Sequence, residues 1–186
     1  MKGVIKSFIL ETAEVFLIAL AIVLPIRYFL IQPFFVKGQS MEPNFYDGDY
    51  LIIDELSYRF RAPERGEVIV FKSPDLKSYY IKRVIGLPNE TISLEDEVLT
   101  VFQGDQQNGK KISETYLAPD EKTQGNLKIT LKPNEYFVLG DNRHLSYDSR
   151  NWGPMSKDKI TGRVLLRLFP FNKASAFSVP TYEPAL

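Results

Sequence analysis

The longest apolar stretch of the chain lies at its start. No side chain from position 15 to 26 is polar, and apolar residues continue past Arg27 and Gln32 to Val36. Positions 7–31 carry three charges, Glu11, Glu14 and Arg27, all toward the ends. A bilayer core needs about 20 mostly apolar residues in a helix, and charged side chains near the ends can reach the interface. The pattern predicts a transmembrane anchor helix over 7–31, preceded by a short tail, 1–6. A buried helix of a soluble protein fits less well, because no other segment is apolar and helical enough to pair with it. A cleaved signal sequence would use Lys2 and Lys6 as its basic start and 15–24 as its apolar centre. Small residues should then follow, but Pro25, Ile26, Arg27 and Tyr28 stand there instead. Lys2 and Lys6 on one side balance Arg27 and Lys37 on the other, so only the α-amino group tips the N-terminus toward the cytoplasm.

Beyond Gly38 the pattern changes. Short β-branched and aromatic runs occupy 50–53, 67–72, 79–85, 91–94, 98–102, 136–139 and 161–169. Turn formers separate them, among them Asp47-Gly48-Asp49, Ser73-Pro74-Asp75 and Leu87-Pro88-Asn89. The expected fold is mainly β, an antiparallel sheet or partly open barrel, over residues 32–177. Positions 103–128 are polar and read as a hairpin or cap on the surface. The tail 178–186, with two prolines, is expected to fray.

Composition narrows the chemistry by exclusion. The 186 residues include no Cys and one His, which excludes a disulfide framework, a thiolate zinc site, a cysteine nucleophile and a multi-histidine metal site. The 23 basic and 23 acidic residues balance, which argues against a nucleic-acid partner. A nucleophile must then be Ser, Thr, Lys or a carboxylate.

Three segments could carry such chemistry. Ser40 lies in Val36-Lys37-Gly38-Gln39-Ser40-Met41-Glu42-Pro43, directly after the apolar stretch. Gly38 permits close backbone approach and Pro43 fixes the turn, so the hydroxyl can sit beside free backbone N–H groups. Context alone also allows an ordinary loop serine. Lys82 lies in the strand Tyr79-Tyr80-Ile81-Lys82-Arg83-Val84-Ile85, on one face with Tyr80 and Val84. Desolvation there would lower its pKa and free a neutral amine as general base; a snorkelling surface lysine is the alternative. The third is Gly140-Asp141-Asn142-Arg143-His144-Leu145-Ser146-Tyr147-Asp148-Ser149-Arg150-Asn151-Trp152-Gly153-Pro154, whose density of charges and hydroxyls suggests a hydrogen-bonded corner.

Together these segments resemble bacterial type I signal peptidase, a membrane-anchored Ser–Lys dyad protease. Five parts fall in the family's order: the anchor, Gly38-Gln39-Ser40-Met41-Glu42-Pro43, Arg65-Gly66-Glu67-Val68-Ile69-Val70-Phe71, Tyr80-Ile81-Lys82-Arg83-Val84-Ile85-Gly86-Leu87-Pro88 and the 140–154 block. Ile160-Thr161-Gly162-Arg163-Val164 looks like the closing strand. The resemblance implies Ser40 as nucleophile, Lys82 as general base and Ser146 as the hydroxyl that orients the amine. The Ser40 backbone N–H would serve the oxyanion. Gly38, where larger members carry a second hydroxyl donor, matches the shorter, Gram-positive-like members. Asp141, Arg143, Asp148 and Arg150 match support positions, expected as ion pairs that include Arg83.

The resemblance also implies the substrate: signal peptides of exported preproteins, cut after a small-x-small site, with Phe34, Val36, Gly38, Met41, Tyr80 and Ile81 lining the pockets. No metal or cofactor is implied. The lipid bilayer is the other partner, the chain would work as a monomer, and the location is the cell membrane, single-pass, with the catalytic domain outside. Glu42-Pro43-Asn44-Phe45 and His144-Leu145 depart from the usual motifs. Competing readings are a self-cleaving repressor-type protease, which would need a DNA-binding N-terminus, a Ser-His-Asp site using His144 and Asp148, and a membrane-anchored β-domain that binds peptides without cutting. Ser156-Lys157-Asp158-Lys159 matches Ser-x-x-Lys, but the companion motifs of that class are missing.

Overall fold

The computed structural model describes residues 2–29, 31–104, 108–180 and 182. A 28-residue helix, α1 (Lys2–Phe29), opens the chain, and its described side chains are exposed. Among the described residues no helix is long and apolar enough to cross a membrane. The apolar run does not stay helical to its end. Ile31–Phe35 forms strand β1, paired with β2 (Tyr50–Asp54). Gln32 and Pro33 interrupt helix-forming sequence, and Pro33 is tolerated because β1 is an edge strand.

The remaining strands are β3 (Val68–Lys72), β4 (Tyr79–Gly86), β5 (Glu90–Glu95), β6 (Val98–Gln103), β7 (Lys110–Lys111), β8 (Leu127–Thr130), β9 (Glu135–Leu139), β10 (Met155–Ser156), β11 (Ile160–Phe169) and β12 (Ser175–Ala176). Two four-residue helices, α2 (Ser57–Phe60) and α3 (Ser149–Trp152), lie between them. The larger sheet has eight strands in the order β1-β2-β11-β3-β4-β9-β10, with β12 beside β11, and the smaller is β7-β6-β5-β8. Every pairing is antiparallel. The mainly β antiparallel reading holds, as two open sheets.

Alternation explains how one strand serves two cores. In β3, Val68 and Val70 pack with Met41, Phe45, Leu51 and Ile53, while Ile69 and Phe71 pack with Val84, Tyr136 and Val138. Both faces of the central sheet are therefore buried. The small sheet closes a third cluster around Ile92, Leu94, Leu99 and Val101.

Two expectations need correcting. The polar segment 103–128 is more than a surface excursion. It supplies β7, which pairs with β6, and the start of β8, which pairs with β5, and Glu114, Tyr116, Glu121 and Thr123 grip the main domain; positions 105–107 fall outside the described residues. Nor does the tail simply fray. Tyr182 packs its ring edge-on to Tyr116 at 6.4 Å and lies against Gly66 and Arg83. Burying an aromatic ring offsets the entropy of ordering the tail. Positions 181 and 183–186 fall outside the described residues.

Candidate active site

Ser40 stands in a tight turn fixed by its neighbours. Backbone hydrogen bonds pin the entry to the turn: the Val36 N–H donates to Asp49 O at 2.9 Å, and the Gly48 N–H donates back to Val36 O at 3.0 Å. Asp47 Oδ1 accepts the Gly38 N–H at 2.7 Å. Met41 and Phe45 are buried on the inner side of the turn and clamp it to the core. Gly38 has φ +88°, and a side chain there would meet open space, so backbone conformation rather than room favours glycine. Among the described residues no acceptor takes the Ser40 N–H, the state a donor for an oxyanion requires.

Strand β4 brings Lys82 to this turn. Lys82 Nζ lies 2.7 Å from Ser40 Oγ and donates to Ile81 O at 3.0 Å. The residue is 4 % exposed. Burial lowers its pKa from the ordinary 10.5 to about 8, against the opposing fields of Asp148 and Asp141. Desolvation disfavours the ammonium more than these two carboxylates restore it, since each is already paired with an arginine. A fraction of the amine is then neutral near neutral pH, in contact with a hydroxyl it can deprotonate.

The 140–150 loop lies against the turn. The Asn142 N–H donates to Ser40 O at 3.1 Å. A side chain at Gly140 would collide with Ser40 O and with Ser146, so only glycine allows that approach. Ser146 Oγ is buried and has no hydrogen-bond partner among the described residues. Ser146 is thus placed beside Gly140 with a free hydroxyl, and no hydrogen bond joins it to Lys82.

Behind the turn the charged residues pair. Asp141 accepts from Arg83 Nε at 2.8 Å and Nη2 at 2.6 Å, and from Asn44 Nδ2 at 2.8 Å. Arg83 also donates to Gly66 O and stacks on the Tyr116 ring, 4.0 Å from its centroid. Burial alone would lower the Arg83 pKa, but the hydrogen bonds and charge of Asp141 outweigh it and raise it. Asp148 holds Arg150 and the Gly140 N–H and caps α3. Arg143 forms its ion pair outside these positions: it grips Glu114 and Thr123 from the inserted segment and donates to Gly140 O at 3.0 Å. Glu114 was not foreseen, since nothing local in sequence ties it to a residue 29 positions away. Arg65–Glu90 is a second buried pair of the same kind.

A cleft of about 520 Å³ holds Ser40 and Lys82, and Phe34, Val36, Gly38, Tyr80 and Ile81 are among the residues that line it. Met41 is the correction. It is 1 % exposed and faces the core, because the turn that presents Ser40 outward directs the next side chain inward. Leu145 and Tyr147 line the cleft without having been foreseen. Asn44 and Phe45, part of the departing motif, serve as a strut to Asp141 and a core anchor. His144 contacts Glu121 and Gln124, and neither Ser40 nor Asp148. Ser156 bonds to Asp158 at another surface.

The sequence profile of the family described as "Signal peptidase, peptidase S26" matches residues 9–169. The chain is 35% identical to "Signal peptidase I T" of Bacillus subtilis over 174 residues, 88% of this chain and 87% of that protein. It is 33% identical to "Probable signal peptidase I-1" of a Synechocystis strain over 188 aligned positions, 96% of this chain and 92% of that protein. A crystal structure of a signal peptidase I from Enterococcus faecalis aligns with TM-score 0.46 and 31% identity, covering 55% of this chain and 97% of that one.

Proposed function

The chain belongs to the signal peptidase family, peptidase S26, and from that premise we propose that Ser40 and Lys82 are its catalytic dyad. It is a serine endopeptidase that removes signal peptides. The observation that carries the dyad is the 2.7 Å separation of Ser40 Oγ and Lys82 Nζ, with the amine buried and depressed to about 8. Neutral Lys82 takes the hydroxyl proton as Ser40 Oγ bonds to the scissile carbonyl carbon. The oxyanion receives the Ser40 N–H. The ammonium then gives its proton to the leaving amine as the peptide C–N bond breaks, and an acyl-enzyme remains. Lys82 next deprotonates a water that attacks the ester, and Ser40 regains its proton as the signal peptide leaves with a free carboxylate. The Ser146 hydroxyl, buried and without a partner among the described residues, supports the role of orienting the lysine amine.

The substrate has small residues at −1 and −3 from the cut. Phe34, Val36, Tyr80 and Ile81 make the cleft walls apolar, which supports this reading. The apolar run 15–26 and the exposure of the described α1 side chains support reading α1 as a single-pass membrane anchor, with the N-terminus in the cytoplasm and the β domain on the outer face. The helix leads into β1, which carries Phe34 and so ties the anchor to the cleft. One chain supplies both dyad members, which supports action as a monomer.

The test is cleavage of a peptide with an Ala-x-Ala site, in detergent or liposomes, by wild type, Ser40→Ala and Lys82→Ala. Cutting after the second Ala by wild type alone is expected. A folded wild type that cuts nothing would favour a peptide-binding β-domain, and cutting that survives both substitutions would refute the dyad.

A further inference from the structure

The 140–150 loop is braced by nearly every polar side chain it carries. Asp141 holds Arg83 and Asn44. Asn142 Oδ1 accepts the Leu145 N–H at 3.2 Å. His144 meets Glu121 at 3.1 Å, and Arg150 Nη2 donates to Arg143 O at 2.6 Å. Two large side chains stand outside this network. Leu145 and Tyr147 are 62% and 59% exposed, and among the described residues no hydrogen bond or ring contact engages either side chain. Both line the cleft that holds Ser40 and Lys82.

Scattered exposed apolar residues need no explanation on a protein surface. These two differ in being held by a fixed backbone, close together in the chain, at the edge of a reactive cleft. A fixed apolar wall binds with less ordering entropy than a mobile one, because its backbone is already in place. Loops fastened in this way to a rigid sheet are where substrate contacts concentrate.

These two belong to a different segment from the other cleft walls. The residues before the cut are assigned to walls on and beside β1 and β4: Phe34, Val36, Tyr80 and Ile81. Leu145 and Tyr147 come from another segment, fastened to the Ser40 carbonyl itself through the Asn142 N–H. A substrate strand held by the β1–β4 walls before the cut would have this second wall of the same cleft available after it.

We propose that Leu145 and Tyr147 form an apolar subsite for the side chain directly after the cleaved bond, so that this enzyme prefers an apolar residue at +1. The proposal rests on the reading of Ser40 as nucleophile. It also assigns a role to the Leu145 departure from the family motif.

The test uses matched Ala-x-Ala peptides carrying Leu or Ser at +1, and a second pair varied at −1, assayed with wild type, Leu145→Asn and Tyr147→Lys in detergent and in liposomes. Wild type should favour +1 Leu, and either variant should reduce the Leu-to-Ser ratio of kcat/KM by about tenfold. The acid midpoint of the pH profile should stay near 8, where Lys82 sets it. Three results would overturn the proposal: a wild-type ratio near one, variants that slow every peptide equally, or a loss seen in liposomes alone, which would place the two side chains against lipid. If wild type cuts no peptide at all, the dyad reading itself fails, an outcome distinct from a missing +1 preference.

Discussion

Lys82 and Arg83 are neighbours on β4, and both are nearly inaccessible, at 4 % and 5 % exposed. Their surroundings differ in one respect. Arg83 meets Asp141 through two hydrogen bonds, whereas Lys82 meets a hydroxyl and a carbonyl. The arginine pKa is raised and the lysine pKa falls to about 8. Burial by itself does not decide whether a cation is structural or reactive. A carboxylate in contact fixes the charge, and its absence leaves the charge free to move. Alternation along a strand lets adjacent residues take opposite roles, one face holding the scaffold and the other the chemistry.

Exchanging the character of Lys82, the cation proposed as base, should have the largest effect. Lys82→Arg leaves a charge that cannot be released at working pH, and peptide cleavage should fall by about 10²–10⁴-fold while circular dichroism shows the fold retained. Next is the structural cation. Asp141→Asn leaves Arg83 buried without its counter-charge, and urea unfolding should show a loss of about 3–5 kcal/mol. Asp141 also raises the Lys82 pKa, so any activity that remains should have its acid midpoint moved below that of wild type.

A third change sharpens the contrast by sacrificing function. Lysine titrates near 10.5 when unfolded and near 8 here. Between those values the unfolded chain binds the extra proton, so stability rises with pH; below 8 the full penalty, about 3 kcal/mol as an upper bound, applies. Lys82→Met removes it. Thermal stability should therefore increase at pH 6 and change little above pH 10.5, with activity abolished. The smallest effect belongs to His144→Ala. His144 is exposed and among the described residues its hydrogen bonds go to Glu121 and Gln124, so kcat/KM should change by less than about threefold and stability by under about 1 kcal/mol.

Much of this contrast was legible in the sequence. The strand β4, the turn at Ser40 and the charged 140–154 block were each marked by local pattern. β1 was hidden because its apolar residues continue those of the helix, and nothing in hydropathy separates a helix end from an edge strand. β8 was hidden inside a polar segment, although Leu127 and Ile129 alternate with Lys128. Glu114 and Tyr116 could not have been assigned, since their contacts with Arg143 and Arg83 depend on how a distant insertion folds back. Met41 was misplaced because a motif gives proximity in sequence, while the turn geometry decides which side chain faces the cleft.

The most direct measurement is the pH dependence of kcat/KM for an Ala-x-Ala peptide from pH 5 to 10. If buried Lys82 is the base, the rate rises with pH through one ionisation near 8 and falls about tenfold for each pH unit below it. A rate that stays level down to pH 5 would contradict the account, because a lysine protonated at that pH cannot take the Ser40 proton.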